Sequence, residues 1–307
     1  MSNLENVGNI VLDLSYYPGQ DLYSDGPIED LILKIVMEND EDDFNRIIYE
    51  SHNWPVLYHL SHMRQNIVDV LPITKSDSIL EIGSGCGAIT GALADKARKV
   101  DCVELSRKRS TINAHRNKKY NNICIKVGNF EDIEKNLEEK YDYITLIGVL
   151  EYGAAYINSS EPYSDFLKMV KNHLKDNGKI VIAIENKLGL KYFAGCKEDH
   201  TGRCFEGIEG YPTTNGVCTF GRTELEKLIK DCGYSETTFY YPYPDYKLPK
   251  VIYSDDFLPK IGELNDNVCN YDGKRMILFD DAKVFDSIIK ENLFPYFSNS
   301  FLVIASV

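Results

Sequence analysis

The 307-residue sequence has no excess of positive charge, no apolar run long enough to span a membrane and no Cys-x-x-Cys pair. Each absence removes a class of function. Lys and Arg number 34 against 47 Asp and Glu, a formal net charge of -13. That field repels phosphodiester backbones and anionic membrane surfaces, so nucleic acid is not an expected partner. The basic stretch from Arg107-Lys108-Arg109 to Arg116-Asn117-Lys118-Lys119 falls on one predicted helix and reads as a solvated face. The longest apolar stretches, such as Ile144–Leu150, are strand-sized, and no membrane insertion is expected. The first residues, Met-Ser-Asn-Leu-Glu-Asn, lack the basic-then-apolar order of a secretory signal. Eight cysteines without such a signal point to reduced thiols and a cytoplasmic protein. Cys196, His200, Cys204 and Cys218 are of types that bind zinc, but without a Cys-x-x-Cys pair free loop cysteines are the favoured reading. No Gly-Lys-Ser/Thr follows the glycines at 83–87, which excludes a P-loop.

What is present is an ordinary globular balance, 43% hydrophobic and 26% charged residues, enough to bury a core. From Ser78 the pattern alternates strand and helix. Strands are predicted over 78–82, 100–104, 122–127, 143–147 and 179–184, with a last one over 300–307. Helices are predicted over 87–97, from a Ser106 cap to about Lys119, over 165–175 with Asp176-Asn177-Gly178 as its stop, and from a Thr223/Glu226 capping box to Gly233. Repeated βα units require a parallel sheet covered on both faces, because each crossover is right-handed. Residues 1–77 read as helices and aromatic loops forming an N-terminal cap. The core then runs over 78–307, with long Gly-, Pro- and Tyr-rich insertions at about 186–221 and 242–299 that read as lids or acceptor walls.

The stretch Leu80-Glu81-Ile82-Gly83-Ser84-Gly85-Cys86-Gly87 carries the chemistry. A glycine turn after the first core strand lets a ligand approach the backbone at the mouth of the next helix. Glu81 just before the turn would repel a dinucleotide pyrophosphate but suits a ligand with an ammonium and no phosphate. Glu104, ending the second core strand, stands where a carboxylate accepts from both ribose hydroxyls. With these residues the chain resembles the class I S-adenosylmethionine-dependent methyltransferases over about Ser78 to Ile184. The resemblance implies a doubly wound, mostly parallel, seven-stranded Rossmann-like α/β sheet that binds S-adenosylmethionine. It implies cofactor contacts from Gly83, Gly85 and Gly87, from Glu104 and Leu105, from Asn129 at the adenine edge and Phe130 near its face, and from the loop at Gly148. Arg64, on a predicted helix beside Tyr58 and His59, is the candidate for the methionine carboxylate, which its guanidinium fork matches.

Three further stretches are similar to a bacterial branch found with glycosyltransferases of surface glycans and glycoconjugates: 185–195, 198–202 and 240–247. That likeness implies a small-molecule or glycan-linked acceptor, with glycosyltransferases of the same pathway as partners. Methyl transfer needs an aligned acceptor and a group that takes its proton. Glu185 follows the fifth core strand directly. His200, flanked by Glu198 and Asp199 in a glycine-punctuated loop, is the candidate base, since imidazole titrates near neutral pH. Some metal-dependent relatives in the superfamily hold magnesium at the loop positions of Glu151, Glu185 and Asn186. Glu replaces Asp at both acidic positions here and Glu151 stands a few residues late, so no metal ligand is assigned, while magnesium stays open as a second cofactor. The tyrosines at 16–17, 23 and 240–246 read equally as sugar-stacking walls or as lid packing. The reading is methyl transfer to a sugar hydroxyl. N-methylation of an amino sugar or amino acid, a catalytically silent cofactor-binding partner of a glycosyltransferase, and a nicotinamide oxidoreductase are its rivals.

Overall fold

The computed structural model describes residues 3–214, 216–267 and 275–307. The insertion expected over 242–299 therefore lies partly outside the described residues. The chain forms two compact units, Met1–Leu146 with Met169–Lys179, and Ile147–Lys168 with Ile180–Val307.

In the first unit the strands are β1 (Leu4–Val7), β2 (Ile10–Asp13), β3 (Ser78–Ile82), β4 (Lys99–Glu104), β5 (Ile123–Val127) and β6 (Tyr141–Ile147), which ends at the unit boundary. They lie side by side in the order β1-β2-β5-β4-β3-β6. All neighbours from β2 to β6 are parallel; only β1 runs antiparallel to β2. The chain steps outward from β3 through β4 to β5, then returns to the other side of β3. That reversal leaves a crevice at the carboxyl ends of the strands, where open α/β sheets bind ligands. β3 is buried along its whole length, as a central strand with both faces covered must be. Helices Thr90–Lys96 and Arg107–Arg116 follow β3 and β4. Ser106 caps the second, as expected, by accepting from the Arg109 N–H.

The N-terminal segment is more than a helical cap. Helix Ile28–Glu38 places Ile28, Ile32, Ile35 and Val36 on one face, three and four residues apart. They pack with Phe44, Val56 and Leu60 onto Cys86 of the glycine turn and Ile112 of the helix after β4. Ahead of them, β1 and β2 form a hairpin that extends the sheet beside β5.

In the second unit β7 (Leu174–Glu185), which enters it at Ile180, is followed by β8 (Thr237–Tyr243), β9 (Val251–Ser254) and β10 (Ser300–Ser306). Their order is β7-β10-β8-β9, with β8 antiparallel to both β10 and β9. The six strands expected by position are β3 to β7 and β10; β8 raises these to the expected seven, and β1, β2 and β9 bring the described total to ten. Asp176-Asn177-Gly178 is not a helix stop, because the preceding helix ends at Asn172 and these residues belong to β7. The helix after the first insertion is capped at Gly221, whose N–H donates to Glu224, two residues ahead of the expected Thr223/Glu226 pair. Among the described residues no helix is long and apolar enough to cross a membrane.

Candidate functional site

In the first unit the ends of β3, β4 and β5 are tied together by backbone bonds. Gly83 N–H donates to Val103 O at 2.8 Å and Gly128 N–H to Glu104 O at 2.9 Å. Gly83, Gly85 and Gly87 all have positive φ, 72°, 53° and 75°. At Gly87 the requirement is double: a Cβ there would lie 2.4 Å from Asn113 Oδ1 and 2.7 Å from Asn117 Nδ2. Those two asparagines fasten the turn to the next helix, Asn117 by donating to Gly87 O and Asn113 by donating to Thr90 Oγ1. Thr90 in turn donates to Glu81 Oε2 at 2.7 Å. Burial pushes the Glu81 carboxyl up to about 7, against the bonds from Thr90 and Cys102. The charge of Arg64 acts on Glu81 in the opposite sense to burial. Arg64 is itself buried, its guanidinium 4.2 Å from the centre of the Tyr58 ring.

Glu104 is buried where the expectation put it. Oε2 accepts from Gly85 N–H at 2.7 Å and Oε1 from Ser106 N–H at 3.0 Å. Each oxygen keeps a second lone pair for a ligand hydroxyl. Leu105 beside it is half-buried. Asn129 is spent partly on structure, capping the short helix Phe130–Ile133 through the Glu131 N–H. The Phe130 ring is turned into the core, edge-on to His173 with 6.1 Å between centroids.

Four residues of the N-terminal segment gather here without having been assigned to the cofactor. The backbone of Tyr16 lies against Gly128, where a Cβ would meet Tyr16 O at 2.6 Å. Asp21 accepts from Ser106 Oγ and Arg107 N–H, anchoring the segment at the start of the helix after β4. Tyr23 and Asp25 flank Arg109, whose guanidinium lies 4.8 Å from the Tyr23 ring centre and 3.7 Å from Asp25 Oδ2. The basic stretch on this helix is largely neutralised: Arg107 pairs with Glu5, Lys108 with Asp30 and Lys119 with Glu41. This surface is no open basic face.

The second unit holds the acceptor-side candidates. Glu151 stands in the short helical turn Leu150–Tyr152 after Gly148, where a Cβ would lie 2.9 Å from the Tyr246 hydroxyl. Glu185 ends β7. His200 sits in the first insertion, which is a closed, hydrogen-bonded structure: Asn186 bridges to Phe220 and Lys197 to Cys204. Cys218 N–H donates to Glu151 O, fixing the turn that carries Glu151. One oxygen from each of Glu151 and Glu185 and one nitrogen of His200 lie within 4.8 Å of one another. His200 Nδ1 is 2.8 Å from Glu198 Oε1 and Nε2 is 3.6 Å from Glu151 Oε1. Burial opposes charge on this ring, but its bonds to Glu151 and Glu198 and the field of Glu185 outweigh burial and hold it well above the usual imidazole range. This upward shift favours the charged ring, which works against the role of general base, since a base must be neutral to take a proton.

Beside this cluster lies a charge network that sequence reasoning missed, buried at Glu185, Lys191 and Asp245 and reaching the surface at Asp199. Lys247 bonds Glu185 Oε1 and Asp199 Oδ1, and Lys191 bonds Asp199 and Asp245 at 3.0 and 2.8 Å. Tyr192 donates to Asp199 as well. The Asn186 amide is spent on the backbone, donating to Tyr296 O and Ser298 O and accepting from Leu188 N–H. Both bonds from its nitrogen and one lone pair of its oxygen are thus committed to the backbone. The zinc set is not assembled: among the described residues Cys196 lies beside Arg275, Cys204 is exposed and Cys218 bonds Thr219 O. The tyrosines of 240–246 mostly pack: Tyr241 bonds Asp255 and Arg222, and the Tyr243 hydroxyl accepts from Asp266 N–H.

The family described as Methyltransferase domain matches residues 80–180. An uncharacterized methyltransferase of Staphylococcus carnosus (strain TM300) is 31% identical over 170 residues, 54% of this chain and 74% of that protein. The ribosomal RNA small subunit methyltransferase A of Syntrophus aciditrophicus (strain SB) is 28% identical over 127 residues, 40% of this chain and 42% of its own length. The match thus spans less than half of that relative. Among solved structures, a SAM-dependent methyltransferase from Archaeoglobus fulgidus aligns over 83% of this chain and 100% of its own at 14% identity, with a TM-score of 0.49. That likeness is too distant to carry any argument.

Proposed function

We propose an acceptor for a chain whose kind is established: it belongs to the class I S-adenosylmethionine-dependent methyltransferases. The acceptor is a hydroxyl of a sugar, free or within a glycan or glycoconjugate. One observation carries the proposal. Glu151 and Glu185 each present a buried oxygen, Oε2, that no group among the described residues hydrogen-bonds. Burying such an oxygen without a donor costs free energy, so a bound partner that supplies donors is favoured there. Sugar hydroxyls supply them. The acidity of the chain and the pairing of its basic helix speak against an RNA acceptor, although one relative is named for ribosomal RNA.

On the cofactor side the chain's own residues fit the ligand. Glu104 is poised for two ribose hydroxyls, the three glycines keep the turn free of side chains, and Glu81 offers a carboxyl that an ammonium would ionise. When bound, S-adenosylmethionine supplies a methyl whose bond to sulfur breaks as the bond to the acceptor oxygen forms. The protein then has only the hydroxyl proton to receive. Glu151 is placed to take it at its unpaired oxygen, while Glu185 is held by Lys247 and His200 is held by Glu198.

The same two carboxylates favour a second reading, an amine acceptor, because an ammonium also offers donors and brings charge. A panel of nucleotide sugars, polysaccharide, amino sugars and ribosomal RNA, incubated with S-adenosylmethionine and read by mass spectrometry, separates these readings. An O-methyl sugar is expected. Methylation confined to nitrogen, or to RNA, would overturn the sugar-hydroxyl reading.

A further inference from the structure

Methyl transfer alone does not account for the arrangement of Glu151, Glu185 and His200. The two glutamates are 1% and 0% exposed, yet each keeps a carboxylate oxygen without a partner. Their ligand-type atoms converge with a His200 nitrogen to within 4.8 Å. The imidazole is oriented from behind: Nδ1 faces Glu198 Oε1 at 2.8 Å, which turns Nε2 toward the glutamates. Glu198 is itself fixed by the N–H groups of His200 and Thr201 and by the Tyr211 hydroxyl. A carboxylate on one ring nitrogen, with the other aimed at two more carboxylates, is how proteins hold a metal-binding histidine.

We propose that Glu151, Glu185 and His200 bind one divalent transition-metal ion, of the manganese or zinc kind, at the acceptor site assigned above. A mixed set of imidazole nitrogen and carboxylate oxygen selects such ions, whereas magnesium prefers oxygen alone. Metal–ligand bonds of about 2.0–2.2 Å place three ligand atoms roughly 3–3.8 Å apart, so groups now within 4.8 Å of one another close on the ion by about 1 Å or somewhat more. Lys247 engages the other oxygen of Glu185 and leaves Oε2 for the ion. Three protein ligands leave coordination positions open, as in catalytic metal sites. The acceptor hydroxyl binds at one of them, becomes more acidic there, and gives its proton to the remaining oxygen of Glu151 as the methyl is received.

The test uses the full chain, stripped with a chelator and titrated with Mn2+ by calorimetry and by loss of the free-ion paramagnetic resonance signal. One equivalent should bind. Glu198→Gln, which touches no ion, should weaken Mn2+ about 10–100-fold, and Glu185→Gln and His200→Ala should weaken it at least as much. S-Adenosylhomocysteine affinity should stay unchanged in all three variants, which shows that they fold. No binding tighter than about millimolar, the weak end of protein sites for divalent ions, or binding indifferent to all three substitutions, would overturn the proposal. So would heat evolved with an amino sugar but not with Mn2+, which assigns the gap to an ammonium. The acceptor reading fails separately. Bound Mn2+ with no sugar methylated removes the acceptor and keeps the ion, whereas sugar methylation undiminished after exhaustive chelation removes the ion and keeps the acceptor.

Discussion

Replacing Glu81 with glutamine should relieve a pH-dependent load on the fold. Glu81 is 2% exposed, and burial pushes its carboxyl up to about 7 from an ordinary 4.5. At about 1.4 kcal/mol per pH unit, that separation corresponds to roughly 3 kcal/mol. Between those two values the folded chain keeps a proton that the unfolded chain has already released. Stability from this group is therefore complete below about 4.5 and lost as pH rises through about 7. Glutamine has no proton to lose, and its carbonyl can still accept from Thr90. Urea midpoints of both proteins, taken without cofactor between about pH 5 and pH 8, should show Glu81→Gln gaining on the wild type as pH rises. The gain should approach about 3 kcal/mol at the alkaline end. A constant difference across the range would refute the account of Glu81. Ligand binding supplies a second arm with the opposite sign. If the carboxylate faces the ammonium of the cofactor, wild-type affinity for S-adenosylhomocysteine rises with pH through about 7, and the variant loses that rise.

Glu104→Ala removes the acceptors that receive Gly85 and Ser106 N–H and, in the bound state, the ribose; S-adenosylhomocysteine should bind more weakly by about 1.5–3 kcal/mol. Calorimetry finding wild-type affinity in a folded variant would remove Glu104 from the site. Gly87→Ala meets both a positive φ and a Cβ 2.4 Å from Asn113 Oδ1, so left-handed strain of about 1–2 kcal/mol adds to overpacking of about 1–3 kcal/mol. Adding Asn113→Ala should restore part of that stability in a double-mutant cycle, and strict additivity would show that the two positions do not collide. Lys247→Met removes the ion pairs to Glu185 and Asp199 and leaves Lys191 as the ion-pair partner of Asp199 and Asp245. It should destabilise by about 3–5 kcal/mol in melting experiments at neutral pH, and an unchanged melting temperature would mean the network is not buried as described.

The core strands were legible because their signals are local. β3 runs over the five residues expected, and β4 and β5 begin within one residue of expectation, since buried parallel strands read as short apolar runs between turn residues. The hairpin of β1 and β2 was also written locally, in Val7-Gly8-Asn9-Ile10, where Gly8 takes a φ of 58° between short segments that include Ile10 and Leu12 on the buried face. Its period of two was masked by the short length of each arm. The helix Asp281–Lys290 was missed inside a segment read as a long connection, although Asp280 caps it by accepting from Lys283 N–H. At the other helix that follows an insertion, two overlapping capping registers were available, Gly221/Glu224 and Thr223/Glu226. Tertiary contact separates them: Lys187 reaches Glu224 at 2.7 Å, an interaction no local pattern can reveal.

The site divides along the same line. The position of Glu104 against the glycine turn was readable because it follows from one strand end and one turn, close together in the sequence. The upward shift of the His200 imidazole was not readable, because Glu151 and Glu185, which raise it together with Glu198, stand 49 and 15 residues before it in the chain. A lone histidine beside Glu198 and Asp199 suggests a base. With Glu151 and Glu185 also against it, the same ring is favoured as a cation, or as a ligand once a metal takes its place among the carboxylates. Asp199, which looked like an orienting partner for His200, instead joins Lys191, Lys247 and Tyr192. Lys247 sits in the run Pro244-Asp245-Tyr246-Lys247, which reads as an aromatic lid, yet its ammonium bonds one oxygen of Glu185. Three distant segments thus set the charge of one cluster. The surroundings of His200 depend on segments far apart in the chain, while the bond from the glycine turn to Glu104 lies within the stretch from β3 to β4.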